Sequence, residues 1–178
     1  MDLRDIKEFL KDTFKYILTV VVVLVIIIYV VSIQQVVGPS MSPTLNSGDI
    51  LILNKLNYKI FEIKRFDIVS LSSKQSKYLV KRVIGLPGEK VEYKDNKLYI
   101  NDQVLKEEFL DETIMTNNFS LSSLGYETIP EGMYFVVGDN RGNSDDSRDI
   151  KIGLIKEEDI IGKSTIRIWP LNKIGLPK

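Results

Sequence analysis

The sequence predicts a mainly β protein behind a single N-terminal membrane-spanning helix. Three observations carry this. No charged residue occurs from Tyr16 to Gly48, and Ile17–Ile33 is almost wholly apolar. Beyond Gly38 the chain breaks into short apolar or alternating segments separated by Gly and Pro. Helical periodicity is poor outside the leading segment. Short strands with this punctuation indicate coiled antiparallel sheets or a partly closed barrel.

The leading segment comes first. A helix needs about 20 apolar residues to cross a bilayer, and the run reaches that length if it extends across Gln34 and Gln35 to Val37. A cleavable secretory leader has a shorter apolar region ending at a small-x-small site, and VSIQQVVG offers none, so the segment is expected to be retained. Arg4, Lys7, Lys11 and Lys15 precede the run, and no Lys or Arg follows until Lys55. The positive-inside rule then makes 1–15 a cytoplasmic segment, 16–37 the anchor and 38–178 an extracytoplasmic domain.

Strands are expected in Asp49–Leu56, Phe66–Leu71, the apolar part of Ser76–Glu89, Gly132–Asn140 and Ser164–Leu171, the last disturbed by Pro170. Lys90–Asp102 reads as a hairpin with Asp95-Asn96 at its turn. Lys156–Ile160 is the one weak helical pattern. Lys106–Thr128 is polar and mixed, an inserted excursion or loop.

Composition narrows the chemistry. The 178 residues hold 24 basic and 24 acidic side chains, with no His and no Cys. Zero net charge gives no reason to expect a nucleic-acid partner. The lack of both imidazole and thiolate argues against a zinc site, and no cofactor or metal is expected. Covalent chemistry must run on Ser, Thr, Lys, Asp or Glu.

Three stretches stand out. In GPSMSPTL, Pro39 and Pro43 stiffen the chain around Ser40. Ser40 is either an ordinary turn serine or one presented to a substrate. In YLVKRVIGLPGE, Lys81 lies inside an apolar strand. It either points to solvent or is desolvated, and desolvation lowers a lysine pKa enough for the amine to act as a base. The adjacent Arg82 is expected to push the same way through like-charge repulsion. In GDNRGNSDDSRD, four Asp, two Arg and two Ser fall within twelve residues. That loop is a solvated surface, a calcium loop lacking the EF-hand spacing, or a salt-bridged buttress whose hydroxyl orients the lysine.

SMSPTL, KRVIGLPGE and GDNRGNSDDSR, in that order behind one span, resemble the bacterial type I signal peptidases, the Ser/Lys endopeptidases of the S26 class. DIV at Asp67–Val69 and IWPL at Ile168–Leu171 add to the likeness. The resemblance implies a coiled antiparallel β fold with a small β insertion at about 90–135. It implies Ser40 as nucleophile, Lys81 as general base and Ser144 as the hydroxyl orienting that lysine. Asp146 and Arg148 match a salt-bridged pair, and Asp139 the acidic partner of Arg82. Val36, Met41, Leu45, Leu79 and Val80 match pocket residues for a substrate with small side chains before the cut, the Ala-x-Ala pattern. The implied partners are signal peptides of secreted precursors, the lipid bilayer and the secretion translocon. The short connection between the second and third motifs resembles Gram-positive members.

Two positions depart from the pattern. Phe66 stands where Gly commonly precedes the Asp, and Gly38 stands where some members carry a hydroxyl that assists the oxyanion. An oxyanion hole here must rely on backbone N–H groups, including that of Ser40. Self-cleaving repressors share the Ser/Lys pairing, but they carry a helix-turn-helix where this chain has a bilayer-length apolar run. A non-catalytic membrane-anchored β domain that binds exported peptides is the remaining alternative.

Overall fold

The computed structural model describes residues 3–55, 62–72 and 78–177. Leu56 and the start of the Ser76–Glu89 segment lie outside these residues. Helix α1 spans Leu3–Val30 without interruption and buries none of its side chains. Its best 18-residue window has a mean hydropathy of 2.5.

The apolar run does not stay helical to Val37, as the sequence suggests. Val31–Gln35 forms strand β1, paired antiparallel with β2 (Ile50–Asn54). The reason is local. Past Val30 the run carries Ser32, Gln34 and Gln35, whose backbone pairs with β2, and the Gln34 side-chain oxygen accepts the Ser70 hydroxyl. Lys55 closes the helix end, donating through its backbone N–H to Val30 O (2.8 Å) and through Nζ to Ile28 O (2.9 Å).

The remaining strands are β3 (Ile68–Ser72), β4 (Tyr78–Gly85), β5 (Val91–Lys94), β6 (Lys97–Ile100), β7 (Gln103–Leu105), β8 (Phe119–Ser120), β9 (Met133–Val137), β10 (Ile155–Lys156) and β11 (Ile160–Trp169). They build two antiparallel sheets, ordered β1-β2-β11-β3-β4-β9-β10 and β7-β6-β5-β8. The Gln34–Ser70 bond joins β1 to β3, which are not neighbours in the larger sheet, so that sheet is strongly coiled.

The β5–β6 turn falls at Asp95 and Asn96, both at positive φ (51° and 61°), as a two-residue hairpin turn requires. Pro170 lies just past the end of β11. Lys156–Ile160 yields only one 3-10 turn, Glu157–Asp159, and the Lys106–Thr128 stretch holds β8 and a second such turn, Leu121–Leu124.

Burial explains why the third motif sits where it does. Strand side chains alternate between faces. In β9, Tyr134 and Val136 enter one apolar cluster with Val69, Leu71 and Val83. Phe135 and Val137 enter another with Ile84, Tyr93 and Leu98. A strand clamped on both faces gives the polar loop that follows it a rigid base. That loop is also closed at its far end, because Ser147 N–H donates to Val136 O and Val136 N–H to the Ser147 hydroxyl, both at 3.0 Å.

Candidate active site

Lys81 is only 2% exposed. β4 alternation puts Leu79, Lys81 and Val83 on one face and Val80, Arg82 and Ile84 on the other. Lys81 Nζ donates to the Ser144 hydroxyl at 3.1 Å. Burial lowers the amine pKa from 10.5 to about 8, against the pull of the Asp146 and Asp145 carboxylates, with Arg148 adding a smaller push downward. The like-charge repulsion therefore comes from Arg148 rather than from Arg82. Alternation explains the difference, since Arg82 leaves the opposite face of the strand.

Arg82 is buried as well. Its Nε and Nη2 donate to Asp139 at 2.9 and 2.7 Å, and its Nη1 donates to Phe66 O at 3.0 Å. The guanidinium lies 3.8 Å from the centre of the Phe109 ring, which also packs on Phe66 at 5.1 Å. Phe66 takes the positive φ (69°) that Gly usually supplies. Its carbonyl contact and ring packing hold a conformation costly for a bulky side chain.

Asp146 closes the loop on itself. It accepts Arg148 Nε and Nη2, each at 2.8 Å, and Gly138 N–H at 3.0 Å. Burial pushes this carboxyl up, but Arg148, the Gly138 N–H and the Ser144 hydroxyl together hold it below the usual carboxylate range.

The serine stretch meets this loop directly. Asn140 N–H donates to Ser40 O at 3.0 Å, and Asn140 Nδ2 donates to Pro39 O at 3.1 Å. Gly138 lies between Ser40 and Ser144. A Cβ there would stand 2.1 Å from Ser144 Oγ and 2.4 Å from Ser40 O, so no other residue fits. On its other side the stretch is held by Arg167 of β11, whose Nη1 donates to Thr44 O (3.0 Å) and Asp49 (3.1 Å). Gly38 has φ +87° with open space around a notional Cβ, so a serine there pays backbone strain without a clash.

The expected pocket residues divide. Val36, Met41, Leu45 and Val80 share one buried cluster with Leu51, Leu53 and Ile68. Met41 and Leu45 are fully buried and floor any pocket rather than line its mouth. Leu79 packs against the separate cluster around Val69 and Leu71, on the opposite face of β4 from Val80.

Sequence reading passed over several residues that the fold brings to this place. Besides Gly138, Asn140 and Arg167, Arg141 has a fully buried side chain. Its Nη1 and Nη2 donate to Glu107 at 3.0 and 2.6 Å, and Nη1 also donates to Thr116 Oγ1 at 3.1 Å. Arg65 pairs with Glu89 and donates to Ile84 O at 2.7 Å, bracing the turn after β4. Only a charged residue within a motif-like run, such as Glu89 or Arg141, carried a signal of this kind.

A serine stretch docked on the loop that holds a buried lysine, behind one apolar helix of bilayer-crossing length, is an arrangement that suits a membrane-anchored hydrolase. Residues 7–169 match the family model described as signal peptidase, peptidase S26. Signal peptidase I of Bacillus caldolyticus is 40% identical over 164 residues, covering 88% of this chain and 89% of that one. Signal peptidase I V of Bacillus subtilis is 44% identical over 136 residues, covering 72% and 80%. Signal peptidase IB of Staphylococcus aureus is 34% identical over 179 residues, covering 92% and 93%. A crystal structure of a signal peptidase I from Enterococcus faecalis superposes with a TM-score of 0.52 at 41% identity, covering 58% of this chain and 97% of that one. The chain belongs to the signal peptidase family, peptidase S26. It is a membrane-anchored serine peptidase that removes signal peptides from exported precursors.

Proposed function

We propose that cleavage runs on a Ser40/Lys81 dyad and falls after small-x-small sites such as Ala-x-Ala. The observation that carries this reading is the buried Lys81 amine, its pKa brought down to about 8 and its Nζ on Ser144, in the loop against which Ser40 is docked.

Neutral Lys81 takes the Ser40 hydroxyl proton as the oxygen attacks the scissile carbonyl carbon. The carbonyl electrons move onto oxygen, and that oxyanion is met by backbone donors, including the Ser40 N–H. Lys81 then gives its proton to the departing amine, leaving an acyl-enzyme that water releases by the same route.

Strand pairing supports an extended substrate. β4 is paired to β3 from Tyr78 to Arg82. On its other edge β9 pairs only at Arg82, Val83 and Gly85. Among the described residues no strand pairs with this second edge along Tyr78–Lys81, where an added strand would lie beside the amine. The buried Val36, Met41, Leu45 and Val80 cluster is an apolar floor for that slot, and the proposed selection of small side chains is steric.

Placement at the membrane rests on the basic residues that precede the span. The N-terminus lies inside, the catalytic β domain, with a small β insertion, lies on the outer face, and the translocon delivers the precursors. The short single-span form is the Gram-positive type. The uncharged helical residues from Tyr16 to Val30 rise only about 22 Å at 1.5 Å each. The turns bearing Phe9, Leu10 and Phe14 complete the crossing, with the neighbouring lysines reaching to the interface. Because β1 starts at the residue after the helix, Ser40 stays close to the bilayer surface.

The test is cleavage of a precursor carrying an Ala-x-Ala site by the full chain in detergent, with product masses read directly. Wild type should cut once after the second Ala, and Ser40→Ala and Lys81→Arg should be inert while folded. Activity retained by either variant removes the dyad. No cleavage by the wild-type protein favours a peptide-binding role.

A further inference from the structure

We infer that Asn140 is a positioning residue that sets the oxyanion hole, by fixing the peptide plane whose N–H group is its donor. The inference rests on Ser40 being the nucleophile.

Asn140 grips both peptide units that flank the Ser40 Cα. Its side-chain amide donates to Pro39 O at 3.1 Å, and its backbone N–H donates to Ser40 O at 3.0 Å. Holding the two planes on either side of one Cα fixes that residue's φ and ψ, and with them the direction of its side chain.

The first of these bonds also aims a donor. The Pro39–Ser40 peptide is trans, because the cis bonds among the described residues are Ser42–Pro43 and Trp169–Pro170. In a trans peptide the C=O and N–H point in opposite directions. Drawing Pro39 O toward Asn140 and Ser42, whose N–H donates to it at 3.0 Å, turns the Ser40 N–H the other way. The described residues supply no acceptor for that N–H, so it is free for an oxygen carried by the substrate. Gly38 makes this matter more here than in relatives with a hydroxyl two positions before the serine, since no side chain shares the load.

Asn140 is itself braced. The next residue, Arg141, is fixed in the interior by Glu107 and Thr116. On its other side, Asp139 is tied to Arg82. Among the described residues neither brace touches the serine, so the two Asn140 bonds pass their rigidity to it, the side-chain amide bond to the peptide that carries the Ser40 N–H.

The experiment compares wild type with Asn140→Ala in the full-length protein, using three readouts: steady-state cleavage of an Ala-x-Ala peptide, inhibition by a peptide aldehyde of the same sequence, and binding of the uncut peptide in a Ser40→Ala background. The aldehyde adduct is tetrahedral and carries the oxyanion, whereas the uncut peptide does not. Asn140→Ala should lower kcat about tenfold, less than loss of a whole oxyanion donor, since Ser42 still holds Pro39 O. Aldehyde inhibition should weaken in parallel, while KM and binding of the uncut peptide stay put. The acid limb of the pH profile should not move, because Lys81 and Ser144 are untouched.

Unchanged kcat, a loss confined to KM, equal weakening of both ligands, or a shifted acid limb would overturn the inference. If Asn140→Ala does not fold, Asn140→Asp keeps the shape and the backbone bond but lacks the donor, and the same readouts apply. Mass spectrometry of the wild-type adduct separates the two levels. An aldehyde attached anywhere but Ser40 defeats the dyad itself, whereas attachment at Ser40 with no Asn140 effect defeats only this inference.

Discussion

Lys81 Nζ donates to Ser144 Oγ at 3.1 Å, and the hydroxyl oxygen that accepts it would collide with any side chain at Gly138. The Lys81 amine, the Ser144 hydroxyl and the docking point of the serine stretch thus share one tightly packed volume. Gly138→Ala should cost at least about a hundredfold in kcat/KM, a loss on the scale of misplacing a reacting group by an ångström. Ser144→Ala, which opens space rather than filling it, should cost less. Equal activity of Gly138→Ala and wild type would show that the loop yields easily.

The amine pKa has a kinetic consequence. If the proposed dyad holds, catalysis needs neutral Lys81, and the acid limb of kcat/KM should have its midpoint near pH 8, where the buried amine protonates. A free lysine would put that midpoint above pH 10. The measurement is a pH series on the full chain with a soluble Ala-x-Ala peptide.

The same shift has a thermodynamic sign. The folded pKa lies below the unfolded value of 10.5, so between about pH 8 and 10.5 the unfolded chain binds more protons and stability rises with pH. Below pH 8 the buried amine costs the fold its full penalty, on the order of 3 kcal/mol from the size of the shift. Lys81→Met should therefore be more stable than wild type at pH 7, with the gap closing above pH 10.5. Denaturant melts of both proteins across that range test it.

Phe66 offers a test of stored strain. At φ 69° an alanine keeps the backbone penalty and loses the ring contacts with Phe109, whereas a glycine loses the contacts but sheds the penalty. Both variants should be less stable than wild type, but Phe66→Gly should be the more stable of the two by about 1 kcal/mol. The reverse order in chemical denaturation would mean that the backbone relaxes.

Glu107→Ala should destabilise by about 3–5 kcal/mol, because it strands the Arg141 guanidinium, whose side chain is fully buried. Glu107→Gln keeps an acceptor and should cost less. A surface-like loss below about 1 kcal/mol in thermal unfolding of Glu107→Ala would show that Arg141 finds water instead.

Much of this was readable in the order of residues. An uncharged apolar run followed by short Gly- and Pro-bounded strands specifies an anchor and an antiparallel β body, because periodicity and turn chemistry act over a few residues. The absence of His and Cys leaves Ser, Thr, Lys, Asp or Glu for covalent chemistry, and three spaced motifs point to the family, resemblance to which singles out Ser40 and Lys81. What only the tertiary structure decided depends on residues far apart in the chain. The end of the helix at Val30 depends on β1 finding β2 and Ser70. Arg82 leaves the opposite face of β4 from Lys81, so the charge that repels the amine is Arg148, which is 67 positions away (148 − 81). The bonds from Asn140 to Pro39 and Ser40, from Arg141 to Glu107 and from Arg167 to Asp49 have no local signature. Sequence can name a lysine as a candidate base, but its pKa is set by desolvation, and desolvation exists only once the strands have packed around it.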